Sequence, residues 1–126
     1  MTGPPELRCI LTFDWQLHDL ATFCTDPVKF SVFGADPTFN PGKFNVTVTS
    51  FQNLKVVDRE TGRHPAIIGP LLLSQTKTFD EYNQFFSKIV SLNKDVLGVL
   101  AYGTDGEEEL FKAMKLSLPK ALHLRC

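Results

Sequence analysis

Apolar and polar positions follow two rhythms along this chain, strand-like through its middle and helix-like on either side. Leu7 to Thr12 is a short apolar run, and Asp14 then reads as a helix N-cap for Trp15 onward. Leu17, Leu20, Ala21 and Cys24 recur at helical spacing until Asp26-Pro27 stops them. The period then falls to two. Phe30, Val32, Gly34 and Asp36 share one face of a strand, with Ser31, Phe33 and Ala35 on the other, so Asp36 extends an apolar row. Asn40-Pro41-Gly42 is a turn, Phe44 to Val56 a long strand, Asp58 to Arg63 a polar turn, and Ala66 to Ser74 a third strand. Three strands joined by short turns predict an antiparallel meander.

The second half changes grammar. Thr78-Phe79-Asp80-Glu81 is a capping box, and Phe79, Tyr82, Phe86, Ile89 and Val90 form a helical apolar stripe ending near Asn93. Val96 to Thr104 is a fourth strand. Gly106 to Leu118 is a helix, with Glu107, Glu108 and Glu109 at its start and Lys112 and Lys115 later, as the helix dipole favours. Pro119 ends it, and Ala121 to Arg125 is a fifth strand. Strands separated by helices require crossovers and therefore run parallel. The expected class is α/β, in the mixed-sheet α+β sense: a three-stranded meander followed by two parallel strands. Residues 1–28 read as an amino-terminal strand and helix extension, and 29–126 as the core.

Composition bounds the reading. With 126 residues, 43% of them hydrophobic and 11 phenylalanines, the chain can bury one core. A net charge of -1 supplies no global basic field, so a nucleic-acid partner would need a local patch. Cys9, Cys24 and Cys126 suit reduced thiols better than a disulfide framework. With no export signal and no apolar run of about 20 residues, the expected location is nuclear or cytoplasmic, without a membrane partner.

Candidate chemistry centres on Asp36 and Asp105, each closing an apolar strand-like run. Hard cations such as Mg2+ take oxygen ligands, commonly one or two carboxylates with substrate oxygens. Should the fourth strand lie beside the first, the two aspartates come within reach of a common ion. Local chemistry offers other roles: Asp105 with Glu108 fits an N-cap, and Asp36-Pro37 a turn. His123 and Cys126 have the spacing of a zinc half-site, but zinc takes three or four protein ligands, so a buried strand histidine and an ordinary thiol are the simpler account. Lys55, Arg59, Arg63 and His64 cluster at a turn that either meets phosphates or is simply solvated. The sequence holds no glycine-rich phosphate loop and no nucleophile elbow.

Five ordered segments carry a resemblance. Phe30 to Asn40, Phe44 to Thr49, Gly69-Pro70, Tyr102 to Glu107 and Ala121 to Cys126 resemble the catalytic core of Mutator-like transposases and related eukaryotic DNA transposons, from about Phe23 onward. The resemblance implies a ribonuclease-H-like fold. It also implies two-metal hydrolysis of a DNA phosphodiester followed by strand transfer, with Mg2+ or Mn2+ held by Asp36 and Asp105. The family's third ligand, a glutamate on a later helix, has no counterpart here, and Glu107, Glu108 and Glu109 adjoin Asp105 too closely to replace it. The implied protein is a truncated core, inactive alone and weak in metal binding, or else a non-enzymatic interaction module. The absent helix would leave apolar sheet surface open to self-association or a partner.

Overall fold

A computed structural model describes residues 8–38, 44–104 and 107–125. They form one mixed sheet of six strands with three α-helices. In chain order the elements are β1 (Arg8–Leu11), α1 (Asp14–Cys24), β2 (Phe33–Thr38), β3 (Asn45–Gln52), β4 (Ala66–Ser74) and α2 (Phe79–Leu92). A 3-10 turn (Lys94–Gly98), β5 (Ala101–Thr104), α3 (Glu108–Ser117) and β6 (Leu122–Arg125) complete them. The strand order is β1-β4-β3-β2-β5-β6. β2, β3 and β4 form an antiparallel meander, β5 runs parallel to β2, and β6 runs parallel to β5. The described part of the expected 1–28 extension, from Arg8 on, shares this sheet and core, because β1 pairs antiparallel with β4 and α1 buries Leu17, Leu20, Phe23 and Cys24 in the common cluster.

All the helices contribute to a single cluster on one face of the sheet. Phe33 and Ala35 of β2, Phe51 of β3, Leu72 of β4 and Tyr102 of β5 point into it, meeting Phe85, Phe86 and Ile89 of α2 and Leu110 and Met114 of α3. Strand alternation sends the intervening residues to the opposite face, which none of the described helices covers.

Element ends differ from the sequence expectation where side chains capture the backbone. β2 starts at Phe33 rather than Phe30, because the Ser31 N–H donates to the Phe23 carbonyl (2.7 Å) and Ser31 Oγ accepts from the Gln52 N–H (2.9 Å). The strand continues through Asp36-Pro37, so that pair does not turn. Pro37 lies beyond the last described β2–β5 pair and needs no donor on that side. β3 ends at Gln52, short of Val56. The start of the expected fourth strand, Val96 to Gly98, belongs instead to the 3-10 turn, initiated by Asn93 Oδ1 accepting from the Asp95 N–H (3.0 Å). α1 has Phe13, not Asp14, at its N-cap, where Gln16 Oε1 accepts from the Phe13 N–H (2.8 Å). Gln16 Nε2 reaches on to the Ile68 carbonyl (2.9 Å), clamping helix to sheet. There β4 carries an irregularity opposite Val48 and Ser50, and a Cβ on Gly69 would stand 2.6 Å from Thr49 Oγ1, itself donating to the Pro70 carbonyl (2.7 Å).

The capping box at α2 is half formed. Thr78 Oγ1 accepts from the Glu81 N–H (3.3 Å), but the Glu81 carboxylate turns to the guanidinium of Arg8 on β1, at 2.6 Å from Nε and 2.9 Å from Nη2. Glu81 is only 3% exposed, so this paired geometry is what lets a charge sit there. Arg8→Ala strands the carboxylate and is expected to cost about 2 kcal/mol, less than a fully buried pair because Arg8 keeps contact with water. The Arg8→Leu/Glu81→Leu double variant should recover most of that loss. Urea unfolding of the single and double variants measures both.

Cys24 is fully buried, and burial pushes its thiol up to about 12, a hydrogen bond with Ser31 opposing only in part. Among the described cysteines the half-buried Cys9 should therefore alkylate first in the native protein, with the Cys24 peptide unmodified until unfolding. The raised folded pKa means the unfolded thiol ionises first. Its contribution is complete below pH 9 and declines as pH rises toward 12, so wild-type stability should fall more steeply there than that of Cys24→Ala.

Candidate functional site

Because β2 and β5 run parallel and side by side, their carboxyl ends lie together at the same edge of the sheet. The register sets Phe33 opposite Tyr102, Gly34 opposite Gly103 and Ala35 opposite Thr104. Asp36 follows Ala35 directly in sequence, and Asp105 follows Thr104. Asp36 is exposed on the helix-free face, across from Val48 of β3. Asp105 lies outside the described residues, as does Cys126.

Beside Asp36 the helix-free face sinks into a trough of about 610 Å³. Its floor is Gly34 and Gly103, facing each other across the parallel pair, with Val32, Ser50 and Gln52 along its sides. The trough follows from two glycines meeting in register, where neither strand raises a side chain. Nothing in the linear sequence pairs Gly34 with Gly103, so the trough is set by strand register alone.

His123 occupies the other face. It sits opposite Tyr102 in the β5–β6 register, so it points with Tyr102 toward the helices. Its ring lies 4.3 Å from the Phe111 centroid and 5.1 Å from the Tyr102 centroid, and Nε2 is 2.9 Å from Thr104 Oγ1. Burial pushes the Tyr102 phenol above its usual pKa. The structure thus separates His123 from Asp36 by the thickness of the sheet. A zinc ion bound through Nε2 would have to displace the Thr104 hydroxyl, and the arrangement is that of a packed strand histidine.

The charged clusters also lie apart from Asp36. Lys55, Arg59, Arg63 and His64 are on the β3–β4 connection, beyond the amino-terminal end of β2. Asp36 pairs with Val48, so that connection starts four residues farther along β3, about 13 Å away at strand rise. Its order is internal: Asp58 Oδ1 accepts from the Glu60 N–H (2.8 Å), and His64 Nδ1 lies 2.8 Å from the Val56 carbonyl oxygen. α3 begins at Glu108, not Gly106, so Glu108 is the first helical residue and not the third that a capping box requires. Glu109 lies 3.8 Å from Lys112 on the helix surface. Among the described residues no three His, Cys, Asp or Glu side chains converge.

Replacing His123 by Ala leaves the buried Thr104 hydroxyl without its ring partner and opens space beside Phe111. The expected loss is about 1 to 3 kcal/mol by urea unfolding, with the β5–β6 pairing the first to lose hydrogen-exchange protection. Compared with known protein families, with curated proteins and with solved structures, the chain matches none.

Proposed function

We propose that this chain is the core of a ribonuclease-H-like domain of the transposase type, built for metal-dependent phosphodiester chemistry on DNA, with Asp36 and Asp105 as two carboxylate ligands. The observation that carries the reading is the central parallel pair. The order β4-β3-β2-β5-β6 is a meander followed by two parallel strands, as the resemblance implies, and it aligns the residues that immediately precede both aspartates. Asp36 fits a hard cation by chemistry and by access: an oxygen donor, exposed, just beyond the last described β2–β5 pair. Bound there, Mg2+ or Mn2+ would activate a water or hydroxyl and stabilise the leaving oxygen. Asp36 would hold the cation just beyond the last described β2–β5 pair, and the Thr104–His123 contact fixes the end of β5 from the opposite face. Two carboxylates alone hold such an ion weakly, and by this reading the chain has little activity by itself. Its place of work is the nucleus or cytoplasm, where DNA is met.

A second reading keeps the fold and drops the chemistry, making the chain a non-enzymatic interaction module. It draws support from the distance between Asp36 and the basic hairpin, which leaves no described cationic track for DNA beside the carboxylate.

Mn2+ titration followed by calorimetry and by paramagnetic broadening of amide resonances tests the first reading. Saturable binding should broaden signals near Ala35 and Thr104, and Asp36→Asn or Asp105→Asn should each weaken it at least tenfold, about 1.4 kcal/mol. Unchanged affinity in both variants overturns the metal site. Mn2+-dependent cleavage of duplex DNA that is lost in Asp36→Asn overturns the non-enzymatic reading.

A further inference from the structure

We propose that the trough beside Asp36 is a track for a single DNA strand, leading from the carboxylate to the basic β3–β4 connection. The inference rests on the reading of the chain as a DNA-acting domain and names the path its substrate takes. The two features lie about 13 Å apart at strand rise, and the trough fills that interval. Asp36 and Thr104 line one end of it, and Phe30, Gln52 and Ala66 the other. Gln52 and Ala66 are paired in register, so the connection carrying Lys55, Arg59 and Arg63 leaves the sheet at the mouth of the trough.

Charge fixes the class of occupant. Lys29, beside Phe30, and Lys55, Arg59 and Arg63 are exposed, and among the described residues none of them enters an ion pair. Of the acids nearest in sequence, Asp26 Oδ1 accepts from the Val28 N–H (2.9 Å) and Asp58 Oδ1 from the Glu60 N–H (2.8 Å), which leaves Glu60. The cations outnumber these acids and are open to phosphates. With a divalent cation held at Asp36, a polyanion meets positive charge at both ends of the trough.

Shape selects one strand over two. The floor is backbone at Gly34 and Gly103, with Ser50 of β3 on one side and Leu124 of β6, opposite Gly103 in register, on the other. β3 and β6 stand three strand spacings apart, about 14 Å, which admits a single DNA strand and excludes a duplex. At the 3.4 Å step of a stacked strand, the 13 Å between Asp36 and the hairpin holds about four nucleotides. Phe30, 42% exposed, offers a base a ring to stack on, and Ser50 Oγ and the Gln52 amide offer hydrogen bonds to base edges. A neutral base thus meets apolar and amide surface while its phosphates are held at the two ends.

Fluorescence anisotropy of a labelled oligothymidylate of about 12 nucleotides, with EDTA present, tests the track apart from the metal site. Saturable binding is expected, at least about tenfold tighter than to a duplex of the same length. Log affinity should fall with log salt at a slope of about −2, corresponding to about three phosphates. Arg59→Gln and Arg63→Gln should each weaken binding and reduce that slope by about 0.7. Phe30→Ala, which removes the stacking ring, and Gly103→Ala, which raises the floor, should each weaken it at least about fivefold at unchanged slope. A Cβ at Gly103 lies 3.5 Å or more from its neighbours, so that variant is expected to fold. Should either trough variant lose its circular dichroism, Arg63→Gln on its exposed turn carries the test. Lys88→Gln, at an exposed position on α2, should bind as the wild type does. The track is overturned by no saturable binding at about 100 µM protein, by duplex bound as tightly as the single strand, by wild-type affinity in both arginine variants, or by a Lys88→Gln loss equal to that of Arg63→Gln. Mn2+ binding without DNA-strand binding keeps the carboxylate site and removes the track, and DNA-strand binding without Mn2+ binding does the reverse.

Discussion

The parallel pairing of β2 with β5 is the constraint on which the core and the candidate site both depend. β2 already belongs to the meander through β3, so its remaining edge can be filled only by a strand arriving from across the sheet. That crossover carries α2 and the 3-10 turn over one face and commits Phe33 and Tyr102 to the same buried layer. The same three register pairs bring the two strand ends together and align Gly34 with Gly103. Shifting the register by one residue would send Phe33 to solvent and Asp36 into the apolar cluster, a state that burial energetics excludes.

One face of the sheet is secured by packing and by a few directed polar contacts. Gln16 ties α1 to β4, Arg8 ties β1 to Glu81 of α2, and His123 ties β6 to Thr104 and Phe111. The first two join elements far apart in sequence and so close long loops, while His123 closes the shorter crossover between β5 and β6; each fixes an edge that local propensity leaves loose. Among the described residues the other face makes no comparable contact to a helix. Its apolar residues satisfy the alternation of the strands without a described layer above them, which gives the molecule two unlike sides: one finished, one available.

Much of the fold was legible because periodicity reports burial. The meander, the α2 stripe and the parallel order of the last strands all follow from apolar spacing, and so does the placement of Asp36 on the row with Val32 and Gly34, although β2 runs on past it to Thr38. Boundaries were less legible. Val96 and Val99 are as buried as strand residues, but Asn93 turns the backbone before them, and an apolar run cannot distinguish the two. Glu81 looked like the second half of a capping box because its spacing allows it. A buried carboxylate, however, gains more from a guanidinium than from one N–H.

The sequence by itself determined which residues are apolar and at what spacing, and therefore the element types, the mixed character of the sheet and the carboxylate on the outward row of β2. Only the tertiary structure decided which strands became neighbours, that Gly34 and Gly103 meet to open a trough, that His123 and Asp36 fall on opposite faces, and that the described helices all gather on one face. The physical reason is the range of the interactions involved. Periodicity and capping act over a few residues and are written locally, whereas strand register and the side chosen by each crossover are set by the burial of the whole core at once.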